Sequence, residues 1–225
     1  MRISDTRLLA ALCGTMVTAA AFGGIGPYTE TFSSSAALWS SSSVFAALNY
    51  LPAGGPDGSG YGNVSASFAN NVDGDFAIMF RGQSNFGSSG NNFFGNWTGA
   101  GLNLFSFSVR QNTTHPVTYF ARFTSGAAPG VVALMSPGAV SGEWTTYSVV
   151  INPLTPFIYE GSPALYSTFS NVQRVQVGVI VDAALAGQAG PFDFDIDNVS
   201  TVPSPAGAAA LLAGMGLFGA RRRRA

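Results

Sequence analysis

The chain has 225 residues, 47% of them hydrophobic and only 9% charged, with a formal net charge of −1. Between residues 22 and 203, four arginines (Arg81, Arg110, Arg122, Arg174) stand against ten acids, and there is no lysine. That acidic balance excludes nucleic acid as a partner, because its binders need a basic stripe.

Residues 1–21 read MRISDTRLLAALCGTMVTAAA. Arg2 and Arg7 form a positive start, an apolar run follows, and Ala19 and Ala21 are the small residues a signal peptidase requires. A signal peptide cleaved after Ala21 is expected. Cys13 opens a lipoprotein alternative, but Leu12 occupies the position where a small residue is needed. Loss of Cys13 with the leader leaves the mature domain without thiol or disulfide.

Residues 22–201 show period-2 patterns and no long helical period. LNLFSFSVR puts Phe105, Phe107 and Val109 on one face. VTYFARF follows the turn-like QNTTHP. WTTYSVVI groups Thr145, Tyr147, Val149 and Ile151; RVQVGVIV groups Val175, Val177, Val179 and Val181; FDFDIDNV turns Phe192, Phe194 and Ile196 inward. NVSASFA, FAIMFR and VVALM are further strands, and Gly, Pro, Asn and Ser clusters separate them. The fold class predicted is all-β, an antiparallel β-sandwich or jelly roll. Only 183–186 and the two ends invite helix.

The tail, 202–225, joins Val202, Pro203, Ser204 and Pro205 to an uncharged stretch at 206–220 and then to Arg221, Arg222, Arg223 and Arg224. As a helix, 15 residues span about 22 Å, short of a ~30 Å hydrocarbon core. The arginines would stay cytoplasmic and act as a stop-transfer cluster. These three features in order resemble the PEP-CTERM sorting signal, with Ser204 where the commonest motif has Glu. The resemblance implies an exosortase-like membrane protease that removes the tail near the prolines after transient insertion in the inner membrane. An ordinary single-span anchor is the alternative.

The body resembles jelly-roll carbohydrate-binding modules and laminin-B-like domains. TETFSSSAALW is similar to their opening strand, LPAGGPDGSGYGNVS to a Gly-Pro-Gly-Tyr segment, GEWTTYSVVI to a Trp-led strand and FDFDIDNVS to the closing strand, with Asn198 in place of its second aspartate. In such modules a structural calcium joins the closing strand to an acid near the first. By position those residues are Asp197 and Glu30. The alternation of Asp193, Asp195 and Asp197 also sets like charges about 7 Å apart on one face, which a cation would relieve. A solvated, charged edge strand is the alternative. The candidate calcium ligands are thus Glu30, Asp195 and Asp197.

Catalytic motifs are lacking. His115 is the one histidine, no G-x-S-x-G elbow occurs, and Glu143 and Glu160 have no motif context. GSGYG precedes no helix, which rules out phosphate binding. Aromatic rings can stack on sugars. Trp97, in the loop-like NNFFGNWTGAG, and Tyr61 are the candidate exposed platforms, whereas Trp144 is expected in the core. The function expected is a non-catalytic protein of the cell envelope or extracellular matrix, with exopolysaccharide as a ligand. A small secreted hydrolase using carboxylates on polysaccharide is the alternative.

Overall fold

Alternating apolar residues leave each strand with one face that must be buried, and two sheets packed face to face meet that need. The computed structural model describes residues 25–41, 46–126, 129–162 and 164–203. The expected leader, Ser204, Pro205 and the Arg221–Arg224 cluster lie outside them. Among the described residues, no helix is long and apolar enough to cross a membrane.

The strands are β1 (Tyr28–Glu30), β2 (Asn49–Leu51), β3 (Tyr61–Ala66), β4 (Phe76–Gln83), β5 (Leu104–Gln111), β6 (Thr118–Thr124), β7 (Val131–Leu134), β8 (Thr145–Val150), β9 (Ile158–Tyr159), β10 (Arg174–Ile180) and β11 (Phe192–Val202). The first sheet has the order β2-β3-β11-β5-β8, with β1 on β11 beyond the end of β3; the second is β4-β10-β6-β7-β9. Every pairing is antiparallel. The chain crosses repeatedly between the sheets, and the all-β sandwich expected from the sequence is the fold observed.

Phe105, Phe107, Val109, Phe194 and Ile196 of the first sheet meet Val175, Val177, Val179, Tyr119 and Phe123 of the second in one core. Trp39 plugs its edge. A Cβ at Gly82 would lie 2.9 Å from the Trp39 ring, so glycine is what lets the indole rest on β4. The Trp39 Nε1 donates to Ser89 Oγ at 2.8 Å.

Three local expectations change. Residues 183–186 form turns, not helix. Two short helices appear instead, α1 (Trp97–Ala100) and α2 (Leu165–Phe169). The closing strand extends through Val202, where Pro203 can no longer donate to the ladder. β1 pairs Tyr28 with Thr201, so the chain enters and leaves the sandwich at the same end.

Candidate functional site

Each sheet has an outward face, and they differ in how far their polar groups satisfy one another. On the first sheet, register places Asn49, Asn63, Asp195 and Arg110 in one row across β2, β3, β11 and β5. Arg110 Nε donates to Asp195 Oδ2 at 2.8 Å, and Asn63 Nδ2 donates to Asp195 Oδ1 at 2.7 Å. The Arg110 guanidinium lies 5.0 Å from the Tyr61 ring centroid and 4.7 Å from that of Trp144, a double cation–π contact. Arg110 Nη1 and Trp144 Nε1 both donate to the Gly54 carbonyl, at 3.3 and 3.0 Å. Beside this stack lies an open groove of about 470 Å³ that includes Asn112 and Asp193.

Tyr61, expected as an exposed platform, is instead buried, with Arg110 over its ring. Trp144 belongs on this outer surface, half-buried, and not in the core. The network pins the glycine-rich segment around Gly54 to the sheet. Trp144→Ala removes one wall and one hydrogen bond and is expected to cost about 1 kcal/mol, read as a small loss of melting temperature with an unchanged fold by circular dichroism.

Trp97 requires correction. It is fully buried, its Nε1 donates to the Phe93 carbonyl at 2.8 Å, and its ring packs on Phe105, Phe123 and Phe169. The Gly- and Asn-rich segment around it is a helical turn: Asn96 Oδ1 accepts from Gly99 N at 2.7 Å and caps α1. That turn points the indole inward, so it offers no exposed platform.

The three candidate calcium ligands separate. Both oxygens of Asp195 are taken by Arg110 and Asn63. Asp197 is buried, accepts from Asn198 N at 2.7 Å and from Ser59 Oγ at 3.2 Å, and its carboxyl is pushed up to about 6. Burial is the main cause, and the negative charges of Asp57 and Glu30 add to it. Glu30 accepts from Phe32 N at 2.9 Å and from the Tyr28 hydroxyl at 3.1 Å. Glu30 and Asp197 thus feel each other's charge, but among the described residues no group of three or more His, Cys, Asp or Glu could hold a metal.

The outward face of the second sheet is less satisfied. Register sets Arg81, Gln176, Arg122, Val132 and Ile158 in a row across five strands, with Gln83, Arg174 and Thr124 in the next. Glu160 grips Arg122 with both oxygens, at 2.6 Å from Nη2 and 2.8 Å from Nε, and also accepts from Gly130 N. The Arg122 guanidinium holds the Glu160 carboxyl below its usual range. Arg122 Nη1 donates in turn to Gln176 Oε1. Gln176 Nε2, Gln83 Oε1 and Arg174 Nε are buried atoms with no hydrogen-bond partner. Further along, Phe120 lies against Phe76 with centroids 5.1 Å apart, and Phe76 is 48% exposed. A Cβ at Gly178 would come within 2.6 Å of the Phe120 ring, so the glycine lets that ring lie on the sheet.

These residues escaped sequence reasoning because no local motif joins them. Alternation in RVQVGVIV already put Arg174, Gln176 and Gly178 on the face opposite the valines, which is the signal that was available.

No family model matches the chain, and no curated relative does. Among solved structures, the chain is similar to the family 11 carbohydrate-binding module of a cellulosomal cellulase of Clostridium thermocellum, at 13% identity over 80% of this chain and 96% of that one, with a TM-score of 0.49. It is similar to N-terminal endo-1,4-beta-D-xylanase 10B modules of the same organism complexed with xylohexaose, at 16% identity and a TM-score of 0.47. It is also similar to an exo-beta-agarase, at 10% identity and a TM-score of 0.46. The chain covers 78% and 71% of itself in the last two matches and spans 28% and 22% of those longer chains. Likeness at this level leaves the family unassigned.

Proposed function

We propose that the chain is an exported, non-catalytic module that binds carbohydrate on the outward face of β4-β10-β6-β7-β9. One observation carries this reading: buried, unpartnered amide atoms lie in line with an aromatic pair. Gln176 Nε2 can only donate and Gln83 Oε1 can only accept. Leaving such atoms unmatched costs about 1–3 kcal/mol each. A sugar hydroxyl answers both needs, because it donates and accepts. The apolar side of a sugar ring answers Phe76, whose half-exposed ring is backed by the buried Phe120. From the Phe76 row to the Gln83 row β10 advances by six residues, about 20 Å along the strand, so a linear chain of several sugars fits the face. The hydrolase alternative gains nothing here: Arg122 lowers the carboxyl of Glu160, the acid that clasps it, and a general acid needs the opposite shift.

Affinity electrophoresis of the protein in gels cast with different polysaccharides tests the reading. Retardation by at least one polymer is expected, and Phe76→Ala should weaken it about tenfold, the order of one lost stacking contact. Unchanged retardation in Phe76→Ala would place binding elsewhere.

The same proposal includes export and sorting. The first and last strands of the body pair side by side, Tyr28 with Thr201. Mass spectrometry of the protein from its own cells should show a chain that ends near Val202 and Pro203. Peptides through Leu217 and Arg221 in the mature protein would make the tail a retained anchor.

A further inference from the structure

We infer that the glycan taken by this face is acidic, a polysaccharide whose carboxylates are met by Arg174 and its neighbours. The inference rests on the proposed carbohydrate-binding face and narrows its ligand class. The body has four arginines among ten acids, yet three of the four, Arg81, Arg122 and Arg174, project from this one face. Glu160 compensates Arg122 with a two-oxygen clasp. Burial and the charge of Arg122 push the Arg174 guanidinium down from its ordinary value, and the same causes, with the charge of Arg174 added, act on Arg81. The face therefore stores positive charge against its own repulsion, in a domain that is acidic elsewhere.

The geometry beside Arg174 suits a carboxylate. A groove of about 250 Å³ is lined by Gln83, Ser84, Asn85, Gly126, Gln173 and Arg174, with no acid in its wall. Arg174 Nε lies buried without a partner. A guanidinium binds a carboxylate through two parallel hydrogen bonds, stronger than contacts between neutral groups. A carboxylate here would satisfy Nε and relieve the repulsion among the arginines in one step. A neutral sugar would supply hydrogen bonds and leave the charge uncompensated.

The test uses the full chain and two forms of one polymer: polygalacturonate, and the same polymer with its carboxylates reduced to alcohols. Polygalacturonate should bind at least tenfold more tightly, with affinity falling as salt rises. Arg174→Gln should weaken polygalacturonate binding about tenfold and leave the reduced polymer unaffected. Arg174→Lys, which keeps charge without the paired donors, should fall between. Arg222→Gln removes the same charge from the C-terminal run and should change affinity less than twofold. Equal binding of both polymers overturns the inference while the carbohydrate reading stands. A loss in Arg222→Gln with none in Arg174→Gln assigns the anion to the tail and overturns it as well. No binding of either polymer, nor of any neutral glycan in the electrophoresis, overturns both.

Discussion

Trp97→Ala should lower the stability of the domain by about 3–5 kcal/mol, the range for emptying a large aromatic site in a core. The indole touches both sheets through Phe105 and Phe123 and closes against α2 through Phe169. Alanine removes those contacts and also strands the Phe93 carbonyl, which now accepts from Nε1. Domains of this size are stable by only about 5–15 kcal/mol in total. At about 2–4 °C per kcal/mol, the melting temperature should drop by roughly 6–20 °C. Glycan retardation measured well below the transition should not change, because Trp97 faces inward while the proposed ligand face points away from it. Trp97→Phe should recover most of the loss. The opposite pattern, with affinity lost and stability kept, would restore Trp97 as a binding platform and contradict the packing described here.

The strands were legible because each carries one buried face. Phe105, Phe107 and Val109 alternate without interruption, and so do the valines of β10; a slip of one residue would put every one of them in water. The short helices were not legible. α1 has four residues, too few to show a period, and its neighbours are the glycines and asparagines of a turn. β4 hid its faces for a different reason. FAIMFR is a continuous apolar run, and the register shift between Val177 and Gly178 moves Met79 out of step, so Arg81 and Gln83 point outward where simple counting from Phe76 does not place them. The candidate site was least legible of all. Arg81, Arg122 and Gln176 are 41 to 95 positions apart in the chain, and only strand order makes them a row. Tyr61 drew attention because it sits in a conspicuous glycine-rich segment, but it is buried under an arginine that comes from β5, and nothing near Tyr61 announces that.

The pH dependence of stability should carry the signature of Asp197. Its carboxyl is raised to about 6 in the folded chain, against an ordinary value near 3.9. The folded state therefore holds a proton that the unfolded state gives up. The stability this provides is fully present below about pH 4 and is lost as pH rises through about 6. At pH 8 the folded chain keeps a buried carboxylate whose hydrogen bonds from Asn198 N and Ser59 Oγ only partly offset desolvation. The difference corresponds to about 2–3 kcal/mol. Other acids pull the opposite way: Glu160, lowered by Arg122, contributes stability above its unfolded value that is lost as pH falls. The comparison must therefore be made between the protein and Asp197→Asn. The amide keeps the oxygen that accepts from Asn198, and the Ser59 hydroxyl can turn to accept from the new NH₂. Asp197→Asn should match the parent near pH 4 and exceed it by about 2 kcal/mol at pH 8 in calcium-free buffer. A pH-independent difference would show that burial does not set this carboxyl. Calcium separates the remaining possibilities. A cation held by Asp197 and Glu30 would favour the ionised form, so added calcium should raise the melting temperature of the parent at pH 8 and leave the variant unmoved. If both chains ignore calcium and chelator alike, the raised carboxyl is a cost of packing the Gly54–Gly60 segment over β11, and the domain binds no structural metal there.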